Sequence, residues 1–516
     1  MKMEDNHDSL LKELQAIVGE EWVSDDQAIL ESYGKDPGFN TVLRKHQKDP
    51  NMLPELVILP ETTEEIRAII LKAKEYGRCV IPIGTGNNQT GFCIPTRPKT
   101  ISVDTKRMNR ILKIDEVNMT ATVQPGVSYA RLQQETMKRG LWNGGTPLAP
   151  SNHHLISQIH AFYGLWQSAL KYSTGIRSIV NLKGVTSEGD ILETGSACLP
   201  KADNFWWYGP GPDLKGLLES ATTGSVWFIT EATLKLYPWA GGEWPTEEII
   251  DRPPLPANHR IYFVEFKEWE DMYQFFYEVS HNGIGSHMNL CNDTFNSFNT
   301  QPTFEESERK FKEGYFPKLL VYVILAGISS NKQLDFEERV LIDIIKDTNG
   351  ILRTDELKEV LSTWHGDAFR SATSMRMGRR GSYHLVKMSE LPLNCVEMVY
   401  KDHMSLVEGT EHYMMDDEIP WVYIHDRGYW SLNETDSYFD QNDPKECERS
   451  MKRVTTGLFR MVSDDNNRTG WYLCGLEPLT TLYGPKIGPD FHLMLKKIKK
   501  VFDPTDTMNP GKLVNM

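Results

Sequence analysis

The 516-residue chain lacks the marks of several common functional classes. No apolar run approaches the ~20 residues that a membrane-spanning helix needs. Basic residues are scarce, 56 against 71 acidic ones. The net charge of −15 argues against a nucleic-acid footprint and favours solubility. No two cysteines form a CxxC pair. The seven, at 79, 93, 198, 291, 395, 447 and 474, are odd in number and scattered. That pattern supports neither a zinc ribbon nor an iron–sulfur cluster, and it fits free thiols in a reducing cytoplasm. The start, Met1 to Asn6, is polar and acidic, so no secretory signal is expected. Glu411-His412, Asp416-Asp417-Glu418 and His365-Gly366-Asp367 have no spacing that would fix ligands on one face, and no metal is expected. Internal repeats and low-complexity tracts are also missing.

What is present centres on residues 82–91, Pro-Ile-Gly-Thr-Gly-Asn-Asn-Gln-Thr-Gly. Three glycines let the backbone turn tightly and approach a ligand, and the small and amide side chains between them offer neutral donors suited to a pyrophosphate. An ordinary glycine-rich turn would look the same in isolation. The flanks are more telling. Glu55–Leu59 reads as a strand stopped by Pro60, Thr62-Thr63-Glu64-Glu65 caps a helix that ends at Gly77, and Cys79–Ile81 is a second buried strand. This β–α–β unit is a usual platform for a phosphate-binding turn.

Strands are expected over 99–104 and 111–124, and a helix over 128–139. A hairpin is expected over 176–195 about Glu188-Gly189-Asp190, with alternation over 226–236. The Pro-, Gly- and Trp-rich segment 237–258 is the best boundary. Beyond it, strand–helix blocks at 260–281 and 318–348 suggest strands covered by helices on one side. The segment 405–450 reads as acidic and loop-rich, and 451–463 and 489–501 as helices. Thirteen Trp and twenty Tyr permit an aromatic-lined cavity.

Four stretches together resemble the vanillyl-alcohol oxidase / p-cresol methylhydroxylase flavoprotein superfamily. They are the 84–91 loop; 103–127, with Val103-Asp104, Met108-Asn109-Arg110-Ile111 and Gln124-Pro125-Gly126-Val127; 181–238, with Glu188–Gly195, Gly209–Leu218 and Thr223–Thr230; and Asp503-Pro504 with Asn509-Pro510-Gly511-Lys512. The tail is equally similar to that of glycolate oxidase / D-lactate dehydrogenase FAD subunits. The resemblance implies an α+β fold: a two-part FAD-binding domain, residues 1–240 and 470–516, with a cap or substrate domain, 241–469, inserted between the parts. It implies FAD contacts from Ile83, Gly84, Thr85, Gly86, Asn87, Asn88, Gln89, Pro147, Ser151, Ser157, Gly224, Ile229, Asn509 and Lys512. Some relatives carry in the loop a His that bonds covalently to FAD; Asn87 and Asn88 stand there here. The second flavin loop usually holds adjacent glycines, whereas 146–163 has none and carries His153, His154 and His160. The acid that follows a Tyr-Gly pair in the phenol-oxidising branch is missing from Lys171–Gly175.

The activity implied is FAD-linked removal of hydride from an alcohol, a 2-hydroxy acid or a 4-alkylphenol. A non-redox flavoenzyme of the same fold, or an FAD-binding subunit of an electron-transfer complex, is the alternative. Candidate catalytic residues are His425, Arg427 and Tyr472. Alternation through Trp421–Trp430 puts His425, Arg427 and Tyr429 on one strand face, as base and anion clamp; a solvated edge strand would alternate in the same way. Arg468 and Tyr472 are the nearest match to the Tyr–Arg pair that holds a phenolate in relatives. Arg370, Arg376, Arg379 and Arg380 form a basic cluster, read as a solvated loop or a second anion clamp. The expected partners are a small organic substrate and an electron-accepting protein, in a cytoplasmic homo-oligomer without nucleic acid or membrane span.

Overall fold

A computed structural model describes residues 6–516 except 37, 39–40, 42–43, 46–47, 87–90, 147–151, 158–163, 165, 208, 219–221, 243–255, 302, 362–368, 370–382, 408–418, 441 and 464–483. The first sheet holds β1 (Val23–Ser24), β2 (Leu56–Ile58), β3 (Cys79–Ile83) and β4 (Thr100–Asp104) in the order β1-β2-β4-β3, with β2, β4 and β3 parallel. Helices α1 (His7–Val18) and α2 (Thr63–Glu75) cover it. Their Leu10, Leu14, Ile66, Ile69 and Ile70 pack with Leu56, Val80, Ile101 and Val103. The Thr62–Glu65 capping box starts α2 as its sequence demands.

The second sheet is antiparallel. It holds β5 (Ile111–Asp115), β6 (Thr120–Val123), β8 (Ile179–Thr186), β9 (Ile191–Glu193) and β10 (Trp227–Lys235) in the order β5-β6-β10-β8-β9. Helix α3 (Tyr129–Met137) packs on it, and β7 (Leu141–Trp142) pairs with β11 (Tyr237–Pro238) beside it.

The third sheet lies within the segment expected to form the cap. Its strands are β12 (His259–Phe266), β13 (His287–Cys291), β14 (Leu319–Ala326), β15 (Ile351–Leu352), β16 (Tyr383–Leu391), β17 (Trp421–His425) and β18 (Trp430–Phe439), ordered β15-β12-β14-β13-β17-β18-β16 and antiparallel throughout. Strand alternation divides its side chains. Val264, Met288, Leu290, Val321, Val323, Val422 and Ile424 pack under α4 (Trp269–His281) and α5 (Asn331–Asp347). Phe263, Tyr322, Ile324, Trp421, Tyr423 and Leu432 face the other way and meet Trp142 and Trp239 of the N-terminal half. The cap is therefore helix-covered on one side, as its sequence pattern suggests. Among its described residues, the segment expected to be loop-rich carries the end of α6 (Val396–Val407), the β17–β18 hairpin and the start of α7 (Pro444–Ser463).

Helix α8 (Pro489–Phe502) returns the chain to the first two sheets. There the tail adds an edge to β3: Val80 donates its amide to Thr507 at 2.8 Å, and Asn509 donates back to the Val80 carbonyl at 2.8 Å. Lys499 of α8 is wholly buried. It donates to the carbonyls of Ser225 and Met508, each at 2.7 Å, and to Asp503 at 2.5 Å, with Asp506 at 3.2 Å. Among the described residues no helix is long and apolar enough to cross a membrane.

Candidate functional site

At the phosphate end, β3 runs straight into Gly84–Gly86. A Cβ on Gly84 would lie 2.1 Å from the Ser157 Oγ, so the glycine loop and the second loop touch there. Gly86 has φ +69°, and among the described residues no atom lies within 4 Å of its would-be Cβ, so the left-handed turn is open on that side. Gly224, at φ +71°, leans on β3 so closely that a Cβ would sit 2.2 Å from Pro82. The Ile83 carbonyl is held by the Thr105 hydroxyl at 3.1 Å. Asn87, Asn88, Gln89, Pro147 and Ser151 lie outside the described residues.

The far end of the loop is tied at Gly91. Its amide donates to Asp36 Oδ2 at 2.8 Å, and its carbonyl accepts from Lys512 Nζ at 2.7 Å. Asp36 also accepts from the Gly38 amide and the Thr41 hydroxyl. Burial pushes its carboxyl pKa up, and these hydrogen bonds together with the Lys512 charge oppose that shift. Asn509 donates its side-chain amide to the carbonyls of Phe92 at 3.2 Å and Thr223 at 2.6 Å. The tail residues Asn509 and Lys512 thus brace both the glycine loop and the 222–225 turn. Ile229 is a core residue beside the bulge in β10.

Two histidines join this end. The Nδ1 atoms of His153 and His154 are buried without a hydrogen-bond partner, and His154 Nδ1 lies 3.7 Å from the would-be Cβ of Gly84. Burial lowers both pKa values, that of His153 to about 4, so both rings are neutral near pH 7. An open glycine cradle, a buried imidazole with an unmet nitrogen and a lysine at the loop's end suit a diphosphate-bearing cofactor. FAD fits these residues.

The third sheet meets the N-terminal half on its side away from α4 and α5. Pairing registers place Tyr322, Asn289, Tyr423, Leu432 and Glu390 in one row across five strands, on the side away from α4 and α5. Tyr322 donates to the Gln167 side-chain oxygen at 2.8 Å, and Asn289 donates to the Tyr322 hydroxyl at 2.6 Å and to the Gln167 carbonyl at 3.2 Å. This knot fastens the cap sheet to the segment leading to Tyr172. Trp421 and Tyr423 stack at 6.3 Å, and His425 stacks on Trp430 at 3.9 Å. His425 is fully buried with neither ring nitrogen bonded, and desolvation drives its pKa down to about 3. Glu390 Oε2 is buried without a partner, and burial pushes the carboxyl up to about 7. A carboxyl so placed can exchange a proton near neutrality.

The expectation of a continuous strand over Trp421–Trp430 is corrected. Strand β17 ends at His425, and Asp426, Arg427 and Gly428 turn with φ of 48°, 57° and 86°. The turn breaks the alternation. Arg427 is exposed with its guanidinium beside Gly283, and Tyr429 is 86 % exposed, while His425 alone of the three points inward. Arg427 is no anion clamp for a buried site. Tyr472, Arg468, His160, the cluster at 370–380, and the acidic and His pairs at 365–367 and 411–418 lie outside the described residues. Asp36, Asn289, Tyr322 and Glu390 escaped the sequence reading, and His154 entered it only as a departure from the usual second flavin loop. Only the polar–apolar alternation of His287–Cys291 and the run His153-His154 could have signalled any of them.

Comparison with known proteins agrees with this geometry. Residues 54–195 match the family described as FAD binding domain, and 481–513 match FAD linked oxidases, C-terminal domain. A probable mitochondrial D-lactate dehydrogenase of Danio rerio is 22 % identical over 520 residues, covering 98 % of this chain and 92 % of that protein. Glycolate oxidase subunit GlcD of Bacillus subtilis is 31 % identical over 186 residues, 36 % of this chain and 37 % of that one. The crystal structure of p-cresol methylhydroxylase with substrate bound superposes with a TM-score of 0.77 at 14 % identity, covering 100 % of this chain and 98 % of that one.

Proposed function

Because the chain is an FAD-linked oxidoreductase on the vanillyl-alcohol oxidase / p-cresol methylhydroxylase fold, we propose that it oxidises an aromatic alcohol or 4-alkylphenol at the carbon next to the ring. The observation that supports this reading is the side of the third sheet away from α4 and α5, where Tyr322, Tyr423, Trp421 and the His425–Trp430 stack share a face with Glu390 at the β16 end of the row, a buried carboxyl pushed up to about 7. Bound FAD supplies the hydride acceptor. The protein's part is to hold the donor carbon and to take the hydroxyl proton. Glu390, half-ionised near pH 7, accepts that proton, and the neutral His425 can donate or accept one hydrogen bond without bringing a charge into the aromatic box. The Tyr322–Asn289–Gln167 knot keeps the sheet in register with the N-terminal half. Gly84–Gly86, Ser157 and His154 cradle the diphosphate, and Asp36, Asn509 and Lys512 hold the loop in place from behind.

A 2-hydroxy acid is the second reading. It is favoured by the full-length similarity to a protein named as a D-lactate dehydrogenase. Anaerobic bleaching of the flavin separates the two. Reduction by 4-alkylphenols or aryl alcohols, with D-2-hydroxy acids inert, supports the first; the converse overturns it. No bleaching by either class leaves the non-redox reading of this fold. Glu390→Gln should keep FAD and slow flavin reduction by about 10²–10⁴. Its pH profile, which in the parent should rise through about 7 as the carboxyl ionises, should flatten.

A further inference from the structure

Helix α8 presents to solvent a face that a water-facing helix rarely has. Phe491 is 54 % exposed, Leu493 and Met494 52 % each, and Val501 73 %. Lysines accompany them: Lys497 and Lys500 are exposed, Lys496 is half-buried, and Lys486 is exposed in the turn just before. Asp490 is the only acid between residues 486 and 502, in a chain of net charge −15. At 100° per residue, Leu493, Met494, Lys497 and Val501 share the outward arc, opposite His492, Leu495, Lys499 and Phe502. Those inner residues anchor the helix: Leu495 and Phe502 pack on the second sheet, and Lys499 is pinned by two carbonyls and two carboxylates. The outward face is therefore held rigidly in place.

We propose that this face docks on an anionic lipid surface. The helix has 14 residues, about 21 Å long, too short for a hydrocarbon core of about 30 Å, so it lies in the interface plane. An interface accepts both parts of the face at once. Leu493, Met494 and Val501 enter the acyl boundary, with Phe491 at the edge of that face, while Lys486, Lys496, Lys497 and Lys500 reach the headgroup phosphates along their own alkyl stems. The acidic remainder of the protein is repelled by the same headgroups, so electrostatics selects the orientation in which α8 faces the bilayer. A purely acidic protein partner would pair the lysines but leave four large apolar side chains without a counterpart.

The test is co-sedimentation of the FAD-loaded full chain with sucrose-loaded vesicles of phosphatidylcholine, with or without 30 mol % phosphatidylglycerol (about a third of the lipid, a common anionic load), at low salt. Binding to the anionic vesicles should exceed that to neutral ones at least tenfold and fall steeply as salt is added. Lys497→Glu with Lys500→Glu should lose at least tenfold, and Leu493→Glu with Met494→Glu should abolish binding, both with FAD content unchanged. Failure to sediment with anionic vesicles, or equal binding to both vesicle types that ignores the lysine variants, overturns the proposal. A concentration-dependent dimer dispersed by Leu493→Glu, without vesicle binding, also overturns it and gives the face to a second copy of the chain.

Discussion

Replacing Lys499 with Met removes a charge from a site that has no access to water. Lys499 and Asp503 are both 0 % exposed, and the lysine meets Asp503, Asp506 and two carbonyl oxygens. Breaking a buried pair from one side leaves the other charge uncompensated, at about 3–5 kcal/mol. Asp503 keeps the Thr507 and Met508 amides, and Asp506 keeps Arg97, so the loss should not exceed that range. At about 2–4 °C per kcal/mol for a large domain, the melting temperature should fall about 6–20 °C. The variant should also lose FAD, because the strip that Lys499 fastens carries Asn509 and Lys512 to the glycine loop. Tryptophan and flavin fluorescence in one thermal scan read both effects. Adding Asp503→Asn should restore part of the loss, since the second buried charge is then gone. A Lys499→Met protein that melts within about 1 kcal/mol of the parent and retains its FAD would refute this account of how the tail is held.

Gly86→Val should give a folded protein that is largely free of FAD, because the residue sits at φ +69° and a β-branched side chain both strains that backbone and takes up the open space beside it; normal flavin content on acid precipitation would move the phosphate site elsewhere. His7, on α1, bonds Glu55 at 3.0 Å and Asp25 at 3.2 Å, and the Glu55 hydrogen bond raises its pKa above the ordinary value near 6.5. A raised value means stabilisation that is complete below about 6.5 and lost as pH climbs through the folded-state value. Amide exchange in α1, corrected for its intrinsic pH dependence, should therefore quicken above that point, and His7→Gln should erase the step.

The parts of the fold that could be read in advance are those whose cause is local. Thr62 and Glu65 lie three residues apart and start α2, Gly77 stops it, and the loop follows. Asp36 could not be read that way, since the amide it holds is 55 residues on. Glu390 reaches its row only through pairing registers across β16, β18 and β17, and a register is set by tertiary packing. The misreading of Arg427 has a local cause that was visible: counting alternation across Asp-Arg-Gly treats as extended three residues that adopt left-handed φ, and Gly428 was the signal.

The span between Gly91 and Lys512, 421 residues bridged by one 2.7 Å hydrogen bond, also has a meaning in time. At about 5–20 residues per second, synthesis takes about 20–80 s to travel from one to the other. Throughout that interval the glycine loop exists without the lysine, the asparagine or the extra edge strand that brace it. A nascent chain cannot close its cofactor cradle early, however complete its first sheet is. Flavin retention should therefore report that residues 507–512 have reached the glycine loop.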